Sequence, residues 1–357
     1  MLSIGIVGLP NVGKSTLFRT LTKKQVDCAN FPFCTIEPNV GVVEVPDVRL
    51  EPLARVVKTE KIVGAAIEFV DIAGLVRDAH KGEGLGNKFL ANIREVDAIC
   101  HVVRSFQNDN VVHVEGTVNP MRDVEIIELE LAMADMASLE KQVDRLKTTM
   151  KGGATKEQKV QLVLMERVLE TLGKGAMAST LEYADDERAT LKGLTLLTSK
   201  PVIYVVNVSE SSAADPNWVS PLGSNRRAIP ISIKLESDLV DLPKEEQREY
   251  LDAMGLKQTA LDRLIRAGFE MLDLITFFTA GEMEARAWPV TRGTKAPQAA
   301  GTIHTDFEKT FIRAEVIPAD VFIALGRVGA REAGKERIEG KDYEVKDGDV
   351  CYFRVGA

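Results

Sequence analysis

A short apolar segment, residues 2–8, runs directly into the loop Gly8-Leu9-Pro10-Asn11-Val12-Gly13-Lys14-Ser15. The loop fits the spacing G-x-x-x-x-G-K-[ST], and residues 17–21 continue it with a helical pattern. Strand, loop and helix in this order are the context in which backbone N–H groups wrap around phosphate oxygens. There, Lys14 would bridge the β- and γ-phosphates, and the Ser15 hydroxyl would ligate Mg²⁺. We interpret this segment as a nucleotide-phosphate site.

Further apolar runs predict a mostly parallel sheet. They recur at 66–72, 98–103, 201–206 and 228–233, and helical patterns separate most of them. This alternation indicates βαβ units and a mostly parallel sheet. Together with the phosphate loop after the first run, it leads us to expect an α/β P-loop NTPase domain with helices on both faces of the sheet. A chain of 357 residues is too long for one compact core, so we expect two or three domains.

The pattern of apolar residues changes twice along the chain. Residues 123–150 contain no Gly or Pro and carry apolar residues near heptad spacing, a Gly turn follows, and residues 155–172 are again amphipathic. This predicts a helical hairpin, either packed on the core or protruding as a coiled-coil arm. From about Leu274, short β-like runs at 285–290, 311–316 and 349–355 predict a small α+β module. The predicted domains are therefore 1–122 with 198–273, the helical insertion 123–197, and 274–357.

A second motif, Asp71-Ile72-Ala73-Gly74, begins at the end of the apolar run 66–72. A carboxylate at the tip of a strand can hold the Mg²⁺ shell, and the Gly74 N–H can meet the γ-phosphate. Thr35, between the first helix and the second strand, is a candidate for the other hydroxyl that binds Mg²⁺. The D-x-x-G pattern is weak by itself, but it becomes specific after a phosphate loop.

The base-reading motif of GTPases, N-K-x-D, is altered to Asn207-Val208-Ser209-Glu210. Val208 removes the lysine stem that covers the base, and Glu210 is one methylene longer than the Asp that accepts two hydrogen bonds from guanine. A site that loses such pairing discriminates poorly, by a factor of ~10⁴ when the missing partner is a specific one. Adenine is therefore the better expectation.

Leu75 stands where Ras-like enzymes have the Gln that orients the attacking water, so hydrolysis needs a replacement or an outside partner. His113, in the loop 107–116, is the candidate, with a solvated side chain as the alternative interpretation. His80 competes with it, whereas His101 has the pattern of a strand residue and His304 belongs to another domain.

Composition excludes some classes of protein. Forty-five basic and fifty-three acidic residues leave a net charge of −8, which argues against a dedicated duplex-DNA binder. There is no run of about eighteen apolar residues and no basic segment before the first apolar stretch, so we expect neither a membrane span nor a signal peptide. A cytoplasmic location without a membrane partner is the expectation.

Taken together, the motifs resemble those of the Obg-like ATPase family of TRAFAC-class P-loop NTPases. They are GLPNVGKSTLF, NFPFCTIEPNVG, DIAGLV, KGEGLGNKFLANIRE, NVSE, FFTAGEMEARAW, APQAAGTIHTDFEKTFIRAEV and KDYEVKDGDV. The resemblance covers nearly the whole length. It implies a G domain interrupted by a helical hairpin domain, a C-terminal TGS domain of the β-grasp type, preference for ATP over GTP and slow hydrolysis. It also implies association with ribosomes (50S or 70S) and roles in translation and stress regulation.

The resemblance also implies site residues. The ATP loop falls on Asn11, Val12, Gly13, Lys14, Ser15 and Thr16, and the Mg²⁺ ligands on Ser15 and Thr35. The adenine contacts fall on Asn207 and on the backbone of Val208, with Phe106 as a packing surface. His113 takes the place of the missing Gln, and Asn11 matches an Asn that helps to bind K⁺ in potassium-activated relatives. The helical and TGS domains together would form the ribosome-facing groove and contact rRNA or tRNA.

The sequence departs from the family pattern in three places: Arg77–His80, Ile233 beside the base, and Thr310 in the TGS motif. Two alternatives stay open. One is a GTPase or dual-specificity enzyme, supported by fold analogy. The other is a nucleotide-binding regulator with negligible intrinsic hydrolysis, which Leu75 favours. A small-molecule kinase fits the D-x-x-G and NVSE motifs poorly.

Overall fold

The computed structural model describes residues 2–24, 37–72, 87–107 and 117–356. The strands are β1 (Ser3–Val7), β2 (Val40–Val45), β3 (Ile62–Val63), β4 (Ala65–Asp71), β5 (Ala98–Arg104), β6 (Val202–Asn207), β7 (Ala228–Ile231), β8 (Leu274–Ala280), β9 (Ala285–Thr291), β10 (Phe311–Pro318), β11 (Arg337–Glu339) and β12 (Asp349–Val355). The helices are α1 (Lys14–Thr22), α2 (Leu50–Val57), α3 (Asn87–Glu95), α4 (Pro120–Met150), α5 (Lys156–Gly173), α6 (Asp185–Leu194), α7 (Glu210–Ala213), α8 (Ile233–Val240), α9 (Lys244–Ala253), α10 (Ala260–Met271), α11 (Ala296–Ile303), α12 (Thr305–Lys309) and α13 (Ala319–Glu332), with a 3₁₀ turn at Ala178–Thr180.

The first sheet has the strand order β2-β4-β1-β5-β6-β7. Every neighbouring pair is parallel except β2 with β4, so the predicted mostly parallel sheet is confirmed. Because parallel strands end at one edge, the registers Ile6 with Asp71 and Arg104 with Asn207 bring the ends of β1, β4, β5 and β6 together. In an open α/β sheet, ligands bind at this edge.

The predicted helical pair lies between β5 and β6. Asn119 caps α4 by accepting a hydrogen bond from the Arg122 N–H at 3.2 Å, with Pro120 at the first helical position. Thr155 and Gln158 form a capping box at the start of α5. The two helices pack on each other through apolar side chains, among them Leu139, Val143, Leu164 and Val168. Among the described helices, none is both long and apolar enough to cross a membrane.

Asp135 of α4 fixes this helical segment to the chain that leads into β6. Its buried carboxylate accepts hydrogen bonds from the N–H groups of Leu197 and Thr198, at 3.1 and 2.8 Å, and from the Thr198 hydroxyl at 2.6 Å. A buried carboxylate is tolerated when its lone pairs are filled in this way. The insertion is thus anchored to the sheet through hydrogen bonds as well as apolar packing.

The second sheet has the order β11-β10-β12-β8-β9-β3. The predicted C-terminal strands are present, but β3 comes from the N-terminal part of the chain and pairs in parallel with β9. One hydrophobic core cluster joins the two sheets, because Leu53 of α2, Phe278 of β8 and Phe322 of α13 belong to the same cluster as Ile4 of β1.

Arg49, beside α2, adds a polar link between the two sheets. Its guanidinium pairs with Asp347 at 2.7 Å and lies 4.9 Å from the centre of the Phe278 ring. Asp347 in turn accepts a hydrogen bond from the Thr276 N–H at 3.0 Å. The C-terminal sheet is therefore held against the first by an apolar core, a strand pair and this ion pair.

Candidate functional site

The loop after β1 has a backbone that requires glycine at two positions. Gly8 has a φ of +144°, and a Cβ there would lie 2.2 Å from the Val102 carbonyl oxygen. Gly13, which precedes α1, has a φ of +109°, and its Cβ would lie 2.8 Å from the Asn207 Nδ2. Side chains are disfavoured at such φ values. The close approach of backbone to neighbours explains the glycine spacing of the motif.

Lys14, the first residue of α1, is buried beneath this loop, and its Nζ donates to the Leu9 carbonyl at 2.6 Å. Burial lowers the pKa of Lys14 to about 8, and the negative charge of Asp71 partly opposes this shift. A buried ammonium group at a helix N-terminus is an electrostatic site for an anion. Lys14 therefore lies beneath the phosphate loop, with its charge at the N-terminus of α1.

Two of the predicted metal ligands lie beside Lys14. Asp71 is the last residue of β4 and is 4% exposed, while Ser15 stands exposed on the first turn of α1. A hydroxyl and a carboxylate are the hard oxygen donors that Mg²⁺ prefers. The other predicted residues of this region, Thr35, Gly74 and His113, lie outside the described residues.

Asn207, at the end of β6, connects the phosphate loop to the start of α8, which follows the neighbouring strand β7. Its Nδ2 donates to the Val12 carbonyl at 3.0 Å, and its Oδ1 accepts from the Ile233 N–H at 3.3 Å. Ser232 caps α8 by accepting from the Leu235 N–H, which fixes the position of Ile233. The side chain of Asn207 thus links the phosphate loop to the segment between β7 and α8.

A cavity of about 920 Å³ begins at the phosphate loop and continues along β6 and α8. Its walls come from the phosphate loop, the ends of β5 and β6, and the first turns of α7 and α8. The lining residues are Asn11, Val12, Gly13, Thr16, Phe106, Asn207, Val208, Ser209, Glu210, Ser211, Ser232, Ile233, Lys234, Ser237 and Asp238. A space of this size suits a nucleoside attached to phosphates.

Phe106 is held on the cavity wall by Arg104. The fully buried Arg104 guanidinium lies 4.7 Å from the centre of the Phe106 ring, and its Nε donates to the Phe106 carbonyl at 3.0 Å. A ring fixed in this way offers a flat apolar surface for stacking. Arg104 was not among the predicted residues, and its position at the end of an apolar strand is the signal that could have found it.

The altered base motif follows β6 directly. The N–H of Val208 is already donated to the Ile231 carbonyl at 3.0 Å, and the Val208 side chain is buried. Ser209 caps α7, which begins at Glu210. Glu210 Oε1 lies 3.3 Å from Lys234 Nζ, so an ion pair joins the first turns of α7 and α8 at the cavity.

The structure brings the predicted Asn11–Thr16, Asp71, Phe106, Asn207 and Val208 to one edge of the first sheet. Sequence analysis missed most of the α8 side of the cavity, Lys234 included. Ile233, one of the three departures from the family pattern, lines the cavity but is only 2% exposed, and its Cδ1 would lie 3.0 Å from a Cβ at Gly13. It therefore packs against the phosphate loop.

Of the remaining histidines, His101 is confirmed as a strand residue, buried in β5. Burial lowers its pKa to about 3, helped by the positive charges of Lys14 and Arg226. Its Nε2 has no hydrogen-bond partner in the described part of the chain. His304 caps α12 in the C-terminal module. Neither His101 nor His304 lines the cavity.

Comparison with known proteins agrees with the P-loop fold of the N-terminal part of the chain. The family model YchF-GTPase_C, described as a protein of unknown function (DUF933), matches residues 274–356, and the model MMR_HSR1, described as a 50S ribosome-binding GTPase, matches residues 3–208. The chain is 51% identical over 356 residues to the Ribosome-binding ATPase YchF of Pasteurella multocida, covering 98% of each chain. It is 48% identical over 362 residues to the protein of the same name from Bacillus subtilis, covering 99% of each. A solved YchF GTPase from Schizosaccharomyces pombe superimposes with a TM-score of 0.90 at 38% identity, covering 99% of this chain and 97% of that one.

Proposed function

This chain belongs to the YchF family, and from that membership we propose that it is a ribosome-associated, Mg²⁺-dependent ATPase. It hydrolyses ATP to ADP and phosphate, and the nucleotide state acts as a conformational switch in translation and stress regulation. Its relatives carry the name ribosome-binding ATPase, which supports both the reaction and the partner. With ribosomes as its partner, the protein works in the cytoplasm.

One observation carries the preference for ATP. Because the Val208 N–H is donated to the Ile231 carbonyl, a backbone contact from Val208 to a base uses its carbonyl oxygen. Adenine presents an amino donor at N6, where guanine presents the acceptor O6. The Val208 carbonyl oxygen can therefore accept a hydrogen bond from the adenine N6 amino group, whereas it would be repelled by guanine O6. Asn207 supports the same end of the cavity, and Phe106 provides the stacking surface.

The residues present fit Mg²⁺: the Ser15 hydroxyl and the Asp71 carboxylate would supply two oxygen ligands, and Thr35 would be the third. When bound, the metal neutralises charge on the β- and γ-phosphate oxygens. Lys14 binds the same phosphates from beneath the loop, and the Gly74 N–H and His113 complete the proposed catalytic set, His113 in the place of the missing Gln. Asn11 is the proposed K⁺ contact.

We further propose the domain division 1–122 with 198–273, 123–197 and 274–357. In this scheme the first unit is the nucleotide-binding G domain and the last is the TGS domain. The helical insertion and the TGS domain face the ribosome and contact rRNA or tRNA. Co-sedimentation of the full chain with ribosomes in the presence of Mg·ATP tests the proposed association with ribosomes. Absence of the protein from the ribosomal fractions contradicts that association.

The test of substrate is paired calorimetry with Mg·ATP and Mg·GTP on the purified chain. ATP binding that is tighter by tenfold or more, ~1.4 kcal/mol, supports the proposal. Equal or GTP-favoured binding contradicts it at the base pocket while leaving the phosphate site intact.

A GTPase is the second candidate, because the model matching residues 3–208 and the solved S. pombe relative are both described as GTPases. A regulator that binds ATP without hydrolysing it is the third, resting on Leu75. Phosphate release from Mg·ATP that is lost in His113→Ala argues against the regulator. Binding without any phosphate release argues for it.

A further inference from the structure

The ion pair between Lys234 and Glu210 stands at the cavity rim. Glu210 is the first residue of α7 and Lys234 the second residue of α8, and both line the cavity that runs from the phosphate loop. Their charged atoms are 3.3 Å apart, and the side chains are 52% and 80% exposed. The pair thus joins the two helices at the solvent side of the site.

Glu210 occupies the fourth position of the segment that starts at Asn207, where guanine-specific enzymes have the carboxylate that reads the base. Guanine offers that carboxylate two N–H donors, at N1 and N2. Adenine has no donor at N1 or C2, so ATP gains nothing from an acceptor at this position. In this chain the carboxylate is engaged by Lys234 instead.

We propose that Lys234 is a specificity-determining residue that holds Glu210 in an ion pair and so withholds its carboxylate from guanine. The inference rests on the proposed nucleotide-binding function and deepens it. For GTP to use Glu210, the ion pair must first separate, and GTP affinity is reduced by the free energy of that separation. ATP binding does not require the separation and carries no such penalty.

The experiment measures the dissociation constants of Mg·ATP and Mg·GTP for four variants beside the wild-type chain. Lys234→Met keeps the stem and removes the charge, Glu210→Gln removes the carboxylate, and the double variant removes both. Lys192→Met, at an exposed lysine of α6 away from the cavity, is the matched control. Using the ratio of the two constants cancels effects on phosphate binding that both nucleotides share.

We expect Lys234→Met to tighten GTP binding about three- to fivefold, the scale of an exposed ion pair, with ATP binding changed less than about twofold. The gain should vanish in the double variant, because no carboxylate is left to release. The control should keep the wild-type ratio.

An unchanged ratio in Lys234→Met overturns the inference, and so does an equal weakening of both nucleotides or a gain that persists in the double variant. These outcomes leave the proposed function standing as long as the wild-type chain binds Mg·ATP. Failure of the wild-type chain to bind either nucleotide rejects the proposed function and this inference with it.

Discussion

The Asn207 side-chain amide donates a hydrogen bond to the Val12 carbonyl at 3.0 Å and accepts another from the Ile233 N–H at 3.3 Å. One buried side chain therefore links the phosphate loop to the first turn of α8. The conformation of the phosphate loop and the position of the α8 wall of the cavity depend on the same two hydrogen bonds.

Asn207→Ala removes both bonds and leaves two buried backbone groups without their partner. Each such loss costs about 1–3 kcal/mol, so we expect Mg·ATP affinity to fall by tenfold or more. Calorimetry measures the change. Asn207→Asp keeps an acceptor for Ile233 but loses the donor to Val12, and it should also bind poorly. Wild-type affinity in both variants would contradict the linking role.

Lys14→Met should abolish nucleotide binding and yet stabilise the nucleotide-free protein. The pKa of Lys14 is lowered from 10.5 to about 8 by burial, so the charged form is disfavoured in the folded chain. Below pH 8 the buried charge lowers the free energy of unfolding by about 1–3 kcal/mol. This destabilisation disappears as the pH rises from 8 to 10.5, because in that range only the unfolded chain keeps the proton on Lys14.

Urea unfolding of the nucleotide-free protein at several pH values tests this. The wild-type free energy of unfolding should approach that of Lys14→Met as pH rises through 8 to 10. Parallel curves for the two proteins would show that Lys14 carries no such penalty.

His101 should make the protein sensitive to acid. Its folded pKa of about 3 lies below the usual 6.5 because burial disfavours the imidazolium. The unfolded chain binds the extra proton between these values, so stability is lost as pH falls from 6.5 toward 3. The contribution is about 1.4 kcal/mol per pH unit. His101→Phe should flatten the fall in stability below pH 6.5, measured by denaturant unfolding, and an unchanged slope would contradict the assignment.

Asp135→Asn should loosen the helical insertion. The amide cannot accept all three hydrogen bonds that the carboxylate receives from Leu197 and Thr198, and its NH₂ faces other donors. We expect a loss of about 2 kcal/mol in the free energy of unfolding. Asp144→Asn, on the exposed side of the same helix, is the matched control and should change stability by less than about 0.5 kcal/mol. Equal effects would indicate that the three bonds contribute little.

Potassium should stimulate hydrolysis if Asn11 has the role that the family resemblance implies. The measurement is phosphate release from Mg·ATP in KCl and in NaCl at the same ionic strength. A faster rate in KCl that is lost in Asn11→Ala supports the K⁺ contact. Equal rates in the two salts would remove it.

The sequence predicted the elements that depend on local pattern. β1 and β5 were predictable because they are buried on both faces and read as continuous apolar runs. α4 was predictable from residue 123 onward because of its long stretch without Gly or Pro, but its start at Pro120 and its Asn119 cap were not predicted. Lys14 and Asn207 were singled out by the spacing of the phosphate-loop and base-reading motifs, and the structure places both at the same edge of the first sheet. Spacing of this kind marks a residue without any knowledge of the fold.

Other features depend on contacts between distant segments and leave no local signal. β3 has only two residues, one of them exposed, and it is a strand because β9 lies beside it. The pair of Lys234 with Glu210 exists because α7 and α8 begin at adjacent strand ends. Neither residue is unusual in composition, so only the folded chain reveals that they meet.

The pairing of β3 with β9 has a consequence for synthesis. Ile62 and Val63 leave the ribosome early, whereas the strand that completes their pairing is made near the end of the chain. Domains generally fold as they emerge from the ribosome. Here, however, an apolar face of α2 and the strand edge of β3 stay uncovered until the C-terminal sheet, which begins at β8, has been synthesised. An arrested nascent chain that stops before β9 therefore exposes the strand edge of β3 that β9 covers in the folded protein, a feature that favours aggregation and chaperone binding.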